Sequence, residues 1–428
     1  MNPKQQHKRT LVEISKRLLS ELKLGCVDDI LKATNKANYR RLFSSNGVII
    51  LTQDFDRILN ELEAAASKIL GSKAANRKTI QDAAMASCRQ VSAGCSNKST
   101  AEELVETILS EAGREYTHVC ECYVARFTNS FQETVAVGPV RLLPLENVLG
   151  ETKLGDNKRI TLEIENPKGG LFIRGAERPF IATRSAWAVE VSATKANVPV
   201  EARWQIEVAI SLMRLSSDHW KGHYPLLGEI EPLPTVRTEH RDLTVTYDNE
   251  SLAVGGSEVP HWYEIDSAVA ADLRNPKVQE NARHIFKPKK QSLAERIGNG
   301  LGWMTRGRQA LDGAQRVLSF ATSLESLLSS SDKGAPVVQT ICRHAAVILT
   351  NDVEDRFGIF YDLKKLYELR SAIVHTGSRS VLKHEAESIQ GYAEAIYKTV
   401  LQRCDLSMTQ DRFSENLRKA SHGASWLH

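Results

Sequence analysis

Residues 363–377 read Leu-Lys-Lys-Leu-Tyr-Glu-Leu-Arg-Ser-Ala-Ile-Val-His-Thr-Gly, and one of them does not fit the helix they spell. Leu363, Leu366 and Val374 recur at three-to-four spacing, which places them on one inward stripe of an amphipathic helix. The remaining position of that stripe is Arg370. A guanidinium on an apolar seam is costly unless it is paired or faces a wet cleft. His375 follows five residues later, and Thr376-Gly377 then reads as a helix stop. The spacing alone is not distinctive, since Arg214 with His219 and Arg379 with His384 repeat it. Their placement differs: the first pair straddles a helix end and a Ser-Ser-Asp loop, and Arg379 lies in a loop.

Working outward, this helix is the third of four. The first is expected from about 306 to 328, with Leu311, Ala314, Leu318, Ala321, Leu324 and Leu328 on one face. The second follows Asp332-Lys333-Gly334, has Pro336 near its first turn, and carries Val338, Ile341, Ala345 and Ile348. The third begins at an Asn351-Asp352 cap and also carries Phe360. The fourth shows Leu382, Ala386, Ile389, Ala393, Ile396 and Val400. Short connections predict an antiparallel four-helix bundle within residues 275–405, followed by a C-terminal tail at 406–428.

The rest of the chain has a different texture. Its 428 residues suggest two or three domains. Residues 1–113 read as a mainly helical N-terminal region, with Leu11, Ile14, Leu18, Leu19 and Leu22, then Ile58, Leu59, Leu62, Ala66 and Leu70 at helical spacing. Val48–Leu51 reads as a short strand, and 92–100 as a loop. Residues 114–265 read as a mixed α+β domain and candidate sensor. Its strands lie near 116–127, 159–165, 186–192 and 243–247, Pro167-Lys168-Gly169-Gly170 is a turn, and one helix runs from Arg203 to Leu215. The fold class expected is therefore multidomain α+β.

Hydrophobic residues at 42% and charged residues at 25% are the balance of an ordinary globular protein, not of a disordered or fibrous one. The net charge of +4 neither marks nor excludes a nucleic-acid binder. A basic cluster at Arg283, His284, Lys287, Lys289 and Lys290 reads as a solvated linker or a phosphate contact. Seven cysteines, Cys26, Cys88, Cys95, Cys120, Cys122, Cys342 and Cys404, form no framework and predict reduced thiols in a cytoplasmic protein. The N-terminus lacks the apolar segment of a secretory leader, and no apolar run reaches membrane-spanning length.

Leu366 to His375 resembles the core motif of the HEPN superfamily, an Arg followed by four to six residues and a His. Ser323-Leu-Glu-Ser-Leu-Leu328 resembles the first helix of the Apea-like HEPN family, and Ala209-Ile-Ser-Leu-Met-Arg-Leu215 faintly resembles the segment upstream of it. The resemblance covers about residues 305–404 and implies a C-terminal four-helix HEPN bundle. It further implies a metal-independent endoribonuclease of anti-phage or toxin systems, with no cofactor, RNA as substrate, and a homodimer formed around the motif. Two positions depart from the family. Thr376 stands where Apea-like members often have Gly, and Gly377 stands where toxins paired with nucleotidyltransferase antitoxins have Tyr.

The residue types suit RNA cleavage. RNA carries its own nucleophile, the 2′-OH. An imidazole of ordinary pKa, ~6.5, takes or gives a proton at neutral pH. A guanidinium grips phosphate oxygens with a two-pronged fork. Arg370 and His375 are the catalytic candidates. Glu325 borders the first-helix seam and is a candidate to orient Arg370, or else a surface carboxylate. Ser371 is read as a phosphate contact and Tyr367 as a base-stacking ring, each with a plain structural role as the alternative. A non-catalytic HEPN module binding RNA, nucleotide or a protein partner is the rival function, and a regulatory subunit using the bundle only to dimerise is a third.

Other features weigh less. His118, Cys120 and Cys122 share one strand face but lack an obvious fourth zinc ligand, so no metal site is expected. Gly298-Asn299-Gly300-Leu301-Gly302 lacks the lysine of a phosphate loop and reads as a joint between domains. His261-Trp262-Tyr263 reads as packing rather than a stacking platform.

Overall fold

A computed structural model of the chain describes residues 3–25, 40–44, 47–51, 53–70, 77–111, 115–122, 124–144, 147, 161–165, 170–174, 180–182, 185–194, 197–220, 243–247, 252–256, 263–310, 312–329, 337–424 and 426. Cys26, Pro167–Gly169, His261-Trp262, Leu311 and the Asp332–Pro336 stretch lie outside the described residues. The chain is mostly helical with small β-sheets, a mixed α+β protein. It divides into two compact units, Met1–His118 with Glu190–Arg203, and Val119–Val189 with Trp204–His428. None of the described helices is long and apolar enough to cross a membrane.

The first unit is organised by helical periodicity. In α1 (Pro3–Ser20), Leu11, Ile14, Leu18 and Leu19 form one buried stripe. Three strands follow, β1 (Leu22–Gly25), β2 (Arg40–Ser44) and β3 (Gly47–Leu51), with β3 central and antiparallel to both. The sequence marks the apolar β3, whereas β1 and β2 are too mixed in character to announce themselves. Next come α2 (Gln53–Leu70), α3 (Arg77–Ser92) and α4 (Asn97–Glu111). Phe55, Ile58, Leu59 and Leu62 meet Ile80, Ala84, Leu104, Val105 and the α1 stripe in one core. A fully buried leucine contributes roughly 1.5–3 kcal/mol. The loop expected at 92–100 shrinks to 93–96, because α4 begins early. Strand β4 (Glu115–Cys122) closes this stretch and carries His118, Cys120 and Cys122.

In the second unit, β5 (Ala125–Phe127) precedes a hairpin of β6 (Val135–Val137) and β7 (Val140–Pro144). Three antiparallel strands, β8 (Thr161–Glu165), β9 (Gly170–Arg174) and β10 (Phe180–Ala182), form a separate sheet. Strand β11 (Ser185–Ser192) pairs with β7, Val189 opposite Val140, and buries Trp187. Helix α5 (Val198–Ser216) starts five residues before the Arg203 expected from sequence. Strands β12 (Leu243–Tyr247) and β13 (Leu252–Gly256) form a hairpin, and β14 (Tyr263–Ile265) pairs in parallel with β5.

Among the described residues, eight helices follow: α6 (Ser267–Leu273), α7 (Pro276–Phe286), α8 (Leu293–Gln309), α9 (Gly313–Leu328), α10 (Val337–Leu349), α11 (Val353–Thr376), α12 (Lys383–Arg403) and α13 (Gln410–Ser421). Three expectations need correction. The first bundle helix begins at Gly313, not 306: Ala310 is extended, and Asp312 caps α9 by accepting from the Gln315 amide at 2.9 Å. The Asp-x-x-Gln spacing is the local signal that marks this start. The glycine-rich 298–302 stretch is no joint but the middle of α8. The 406–428 tail holds α13, whose Phe413, Leu417 and Ala420 are buried and whose Gln410 donates to the Leu327 carbonyl at 2.8 Å.

The order of helix directions also differs from a simple antiparallel array. Contacts 316–390 and 323–397 advance together along α9 and α12, so these two helices run the same way. Helix α8 explains this. It opposes α9, with Ser323 donating to Gly300 O at 2.8 Å and Gly307 facing Phe320. It also opposes α12, with Gly300 on Tyr397 and Arg308 on Glu394. The basic cluster at Arg283–Lys290 is only in part the linker expected: Arg283 and His284 lie in the last turn of α7, and Lys287, Lys289 and Lys290 follow it, exposed. Cys88, Cys95, Cys120, Cys122, Cys342 and Cys404 form no disulfide, and burial pushes the Cys88, Cys342 and Cys404 thiols up to about 12.

His344 on α10 makes this core acid-sensitive. It is buried, its imidazole bonds to the Leu328 backbone, and burial lowers its pKa from 6.5 to about 4. The unfolded chain therefore binds a proton that the fold refuses. That stability is fully present above the ordinary pKa of 6.5 and is lost as pH falls toward about 4. The linked cost over that window is about 3 kcal/mol. Urea midpoints of wild type and His344→Gln at pH 7 and pH 4.5 should diverge at pH 7 and converge at the lower pH. A constant difference between the two proteins would refute the linkage.

Candidate active site

Helix α11 is bounded by strong local signals. Asp352 caps it, accepting from the Asp355 amide at 2.9 Å. Gly377 ends it in the left-handed region at φ +69, with its N–H donating to Ile373 O at 3.1 Å. The C-cap fixes where His375 emerges, in the last helical turn. Leu363 and Leu366 are buried as expected. Val374 is not: it is 50% exposed, and Ile373 takes the inward place. The helical period does not account for this, since eleven residues from Leu363 to Val374 overshoot three full turns by only about 20°; Val374 lies in the last turn of α11, beside its C-cap.

Arg370 does sit on the inward-facing side of α11, with its side chain 32% exposed. Its Nη2 lies 3.4 Å from Oε1 of Glu325, on α9. The residue proposed from sequence to orient the guanidinium is thus its ionic partner. Burial pushes the Glu325 carboxyl up, and Arg370 opposes that shift. One turn earlier Tyr367 is only 3% exposed, with its hydroxyl donating to Ala321 O at 3.4 Å. This overturns the base-stacking role for Tyr367: the ring is part of the α9–α11 packing, and burial raises its hydroxyl pKa further above the ordinary value.

Ser371 and His375 are exposed. Five residues along a helix correspond to about 140° of rotation and about 7.5 Å of rise, so Arg370 and His375 leave α11 on different faces. Val353, Phe357 and Tyr361 are exposed at four-residue steps. His375 lies eighteen residues, or five full turns, beyond Phe357 and shares that outward face.

The rival Arg–His pairs do not assemble. Arg214 makes two hydrogen bonds to Glu394, at 2.7 and 3.1 Å, while His219 is exposed. Arg379 is exposed, and His384 lines a cleft of about 270 Å³ between α11 and α12 with Asp362, Lys365 and Tyr392. Periodicity could not reveal this cleft, which joins residues more than fifteen positions apart. Cys122 is buried and burial lowers the His118 pKa. Among the described residues, no three His, Cys, Asp or Glu side chains group as metal ligands. No protein-family model matches the chain, and no curated protein or solved structure is similar to it.

Proposed function

We propose that this protein is a metal-independent endoribonuclease of the HEPN type, acting in the cytoplasm in anti-phage defence or a toxin-like role, with Arg370 and His375 as its reacting groups. The observation that carries the reading is the placement of the pair. A half-buried arginine on the packed face of α11 is held by Glu325, and an exposed histidine closes the same helix. The resemblance of Leu366–His375 to the HEPN motif supports it, as does the packing of α9 and α10 against α11 and α12, which we read as the HEPN bundle. In the reaction, His375 takes the 2′-OH proton and the 2′-oxygen attacks phosphorus. The 5′-oxygen leaves with a proton from water or from a second copy's His375, and a 2′,3′-cyclic phosphate remains. Arg370 balances the charge that builds on the phosphoryl oxygens.

The homodimer is supported by the outward face of α11, where Val353, Phe357 and Tyr361 run toward His375. Apolar side chains in such a row favour an interface. A twofold axis there would bring two imidazoles into one cleft and supply both proton transfers.

A second reading has its own observation. Arg370 already has a carboxylate partner and points away from His375, as a structural ion pair would. That favours a non-catalytic HEPN module binding RNA, nucleotide or a protein. Purified protein incubated with RNA in EDTA separates the two. The nuclease reading expects cyclic-phosphate ends, and expects His375→Ala to abolish cutting with dimer and Tm unchanged. Cutting by the variant at the wild-type rate would remove His375 from the mechanism, and RNA bound but intact would favour the module.

A further inference from the structure

The end of α7 and the loop that joins it to α8 hold the chain's surplus of positive charge. From Asn281 to Ala294 the sequence carries Arg283, Lys287, Lys289 and Lys290 and no acidic residue. The whole chain has 56 basic and 52 acidic side chains, so outside this stretch the two signs are equal in number. All four cations are exposed. Among the described residues none of the four has an acidic partner, whereas exposed lysines elsewhere do: Lys8 pairs with Glu106 and Lys419 with Glu415. The carboxylates bordering the stretch are engaged. Glu280 pairs with Lys277 at 3.8 Å, and Glu295 accepts the Gln291 N–H at 2.7 Å. Asp405 accepts the Ser407 N–H at 2.9 Å and stands near Lys277 and His284.

The cations stand on an anchored support. Before them, Ile285 is buried and the Phe286 ring lies against Gly138. Within the loop, the Lys287 N–H donates to Arg283 O at 3.2 Å and the Ser292 N–H to Lys289 O at 3.1 Å. Pro288 fixes one more backbone angle. After them, Ser292 bridges to Thr409, and Gln291 O accepts from the Gln410 amide at 3.0 Å. Gln291 is held at φ +60, the only non-glycine in the left-handed region among the described residues. A loop that served only as a solvated spacer would not need that strain. Lys287 and Lys290 are separated by at most about 10 Å of chain. That is one Debye length at about 0.1 M salt, so their charges act together.

We propose that this loop is a docking site for the phosphate backbone of RNA. The inference rests on the reading of the protein as one that acts on RNA. Clustered ammonium groups with no internal partner neutralise successive phosphates and release the counterions around them. Lysine offers a point charge rather than a directional fork, so the loop holds a strand without reading its sequence. A loop already ordered loses little freedom on binding. The aromatic ring of this stretch, Phe286, is turned to Gly138, which favours RNA over an anionic bilayer that the ring would otherwise enter.

Fluorescence anisotropy of the full chain with a labelled 2′-O-methyl oligouridylate, across a salt titration, tests this. The probe lacks the 2′-OH and cannot be cut, so failure to bind it and failure to cleave RNA in EDTA are separate results. Wild type is expected to bind, with an affinity that falls as salt rises. Lys287→Gln, Lys289→Gln and Lys290→Gln together should lower the slope of log affinity against log salt by about two. The same variant should lose affinity about 10²-fold at ~0.1 M salt, with Tm unchanged. Lys8→Gln, Lys68→Gln and Lys98→Gln together make the same change in net charge on exposed positions of the first unit, and should bind as wild type does. No binding by wild type, an unchanged slope in the loop variant, or an equal loss in the first-unit control overturns the proposal. So does binding to phosphatidylserine vesicles with none to the oligonucleotide.

Discussion

Arg370→Lys is expected to keep the protein folded and to lower RNA cleavage by a factor of about 10² to 10³. The substitution keeps the positive charge and removes the planar fork. A lysine gives one ammonium where arginine gives two parallel N–H donors to adjacent phosphoryl oxygens. On the nuclease reading the loss should fall on kcat/KM, because the geometry is needed as charge develops on phosphorus. Stability should hardly change. Arg370 is 32% exposed and its contact with Glu325 is 3.4 Å long, and pairs of that kind contribute ~0–1 kcal/mol. The combination discriminates between roles. An arginine kept only to brace α9 against α11 would lose a little Tm on substitution by lysine and no activity.

Gly300→Ala is expected to destabilise the second unit by about 3 kcal/mol or more. The new Cβ would fall 1.5 Å from the Tyr397 hydroxyl oxygen and 2.5 Å from Cζ of its ring. Tyr397 cannot retreat, because its hydroxyl donates to Ser323 O at 2.7 Å and the ring is fully buried. Ser323 in turn donates to Gly300 O at 2.8 Å, so three helices close on one point. Gly358→Ala is the control. That glycine is also inside a helix, but its Cβ would meet nothing within 4 Å. Alanine there should stabilise by roughly 0.5–1 kcal/mol through helix propensity. Urea unfolding of both variants decides the matter: shifts of the same sign would mean that Gly300 is not a packing glycine.

These two glycines show which features a sequence can carry. Gly358 and Gly300 look alike in the chain, and only the arrival of Tyr397 from almost a hundred residues away gives Gly300 its role. The start of α11 at Asp352, its end at Gly377 and the inward position of Arg370 are legible, because caps and periodicity are set by neighbours within a turn or two. The exposure of Val374 is not legible, since periodicity gives the face of a residue and not how far along the helix the packed neighbours reach. Tyr367 could stack or pack on sequence grounds, and the Ala321 carbonyl decided for packing.

The amino-acid sequence by itself pointed to the helical and mixed regions, both ends of α11, and an arginine and a histidine at its close. Tertiary structure alone decided that α8 joins that group, that α9 and α12 run the same way, and that Glu325 is the partner of Arg370. It also brought Arg214, Arg308 and Glu394 together across up to 180 residues of chain. The division has a physical cause: capping and periodicity act over a few bonds, whereas ion pairs and close helix contacts depend on which surfaces meet after the chain has folded.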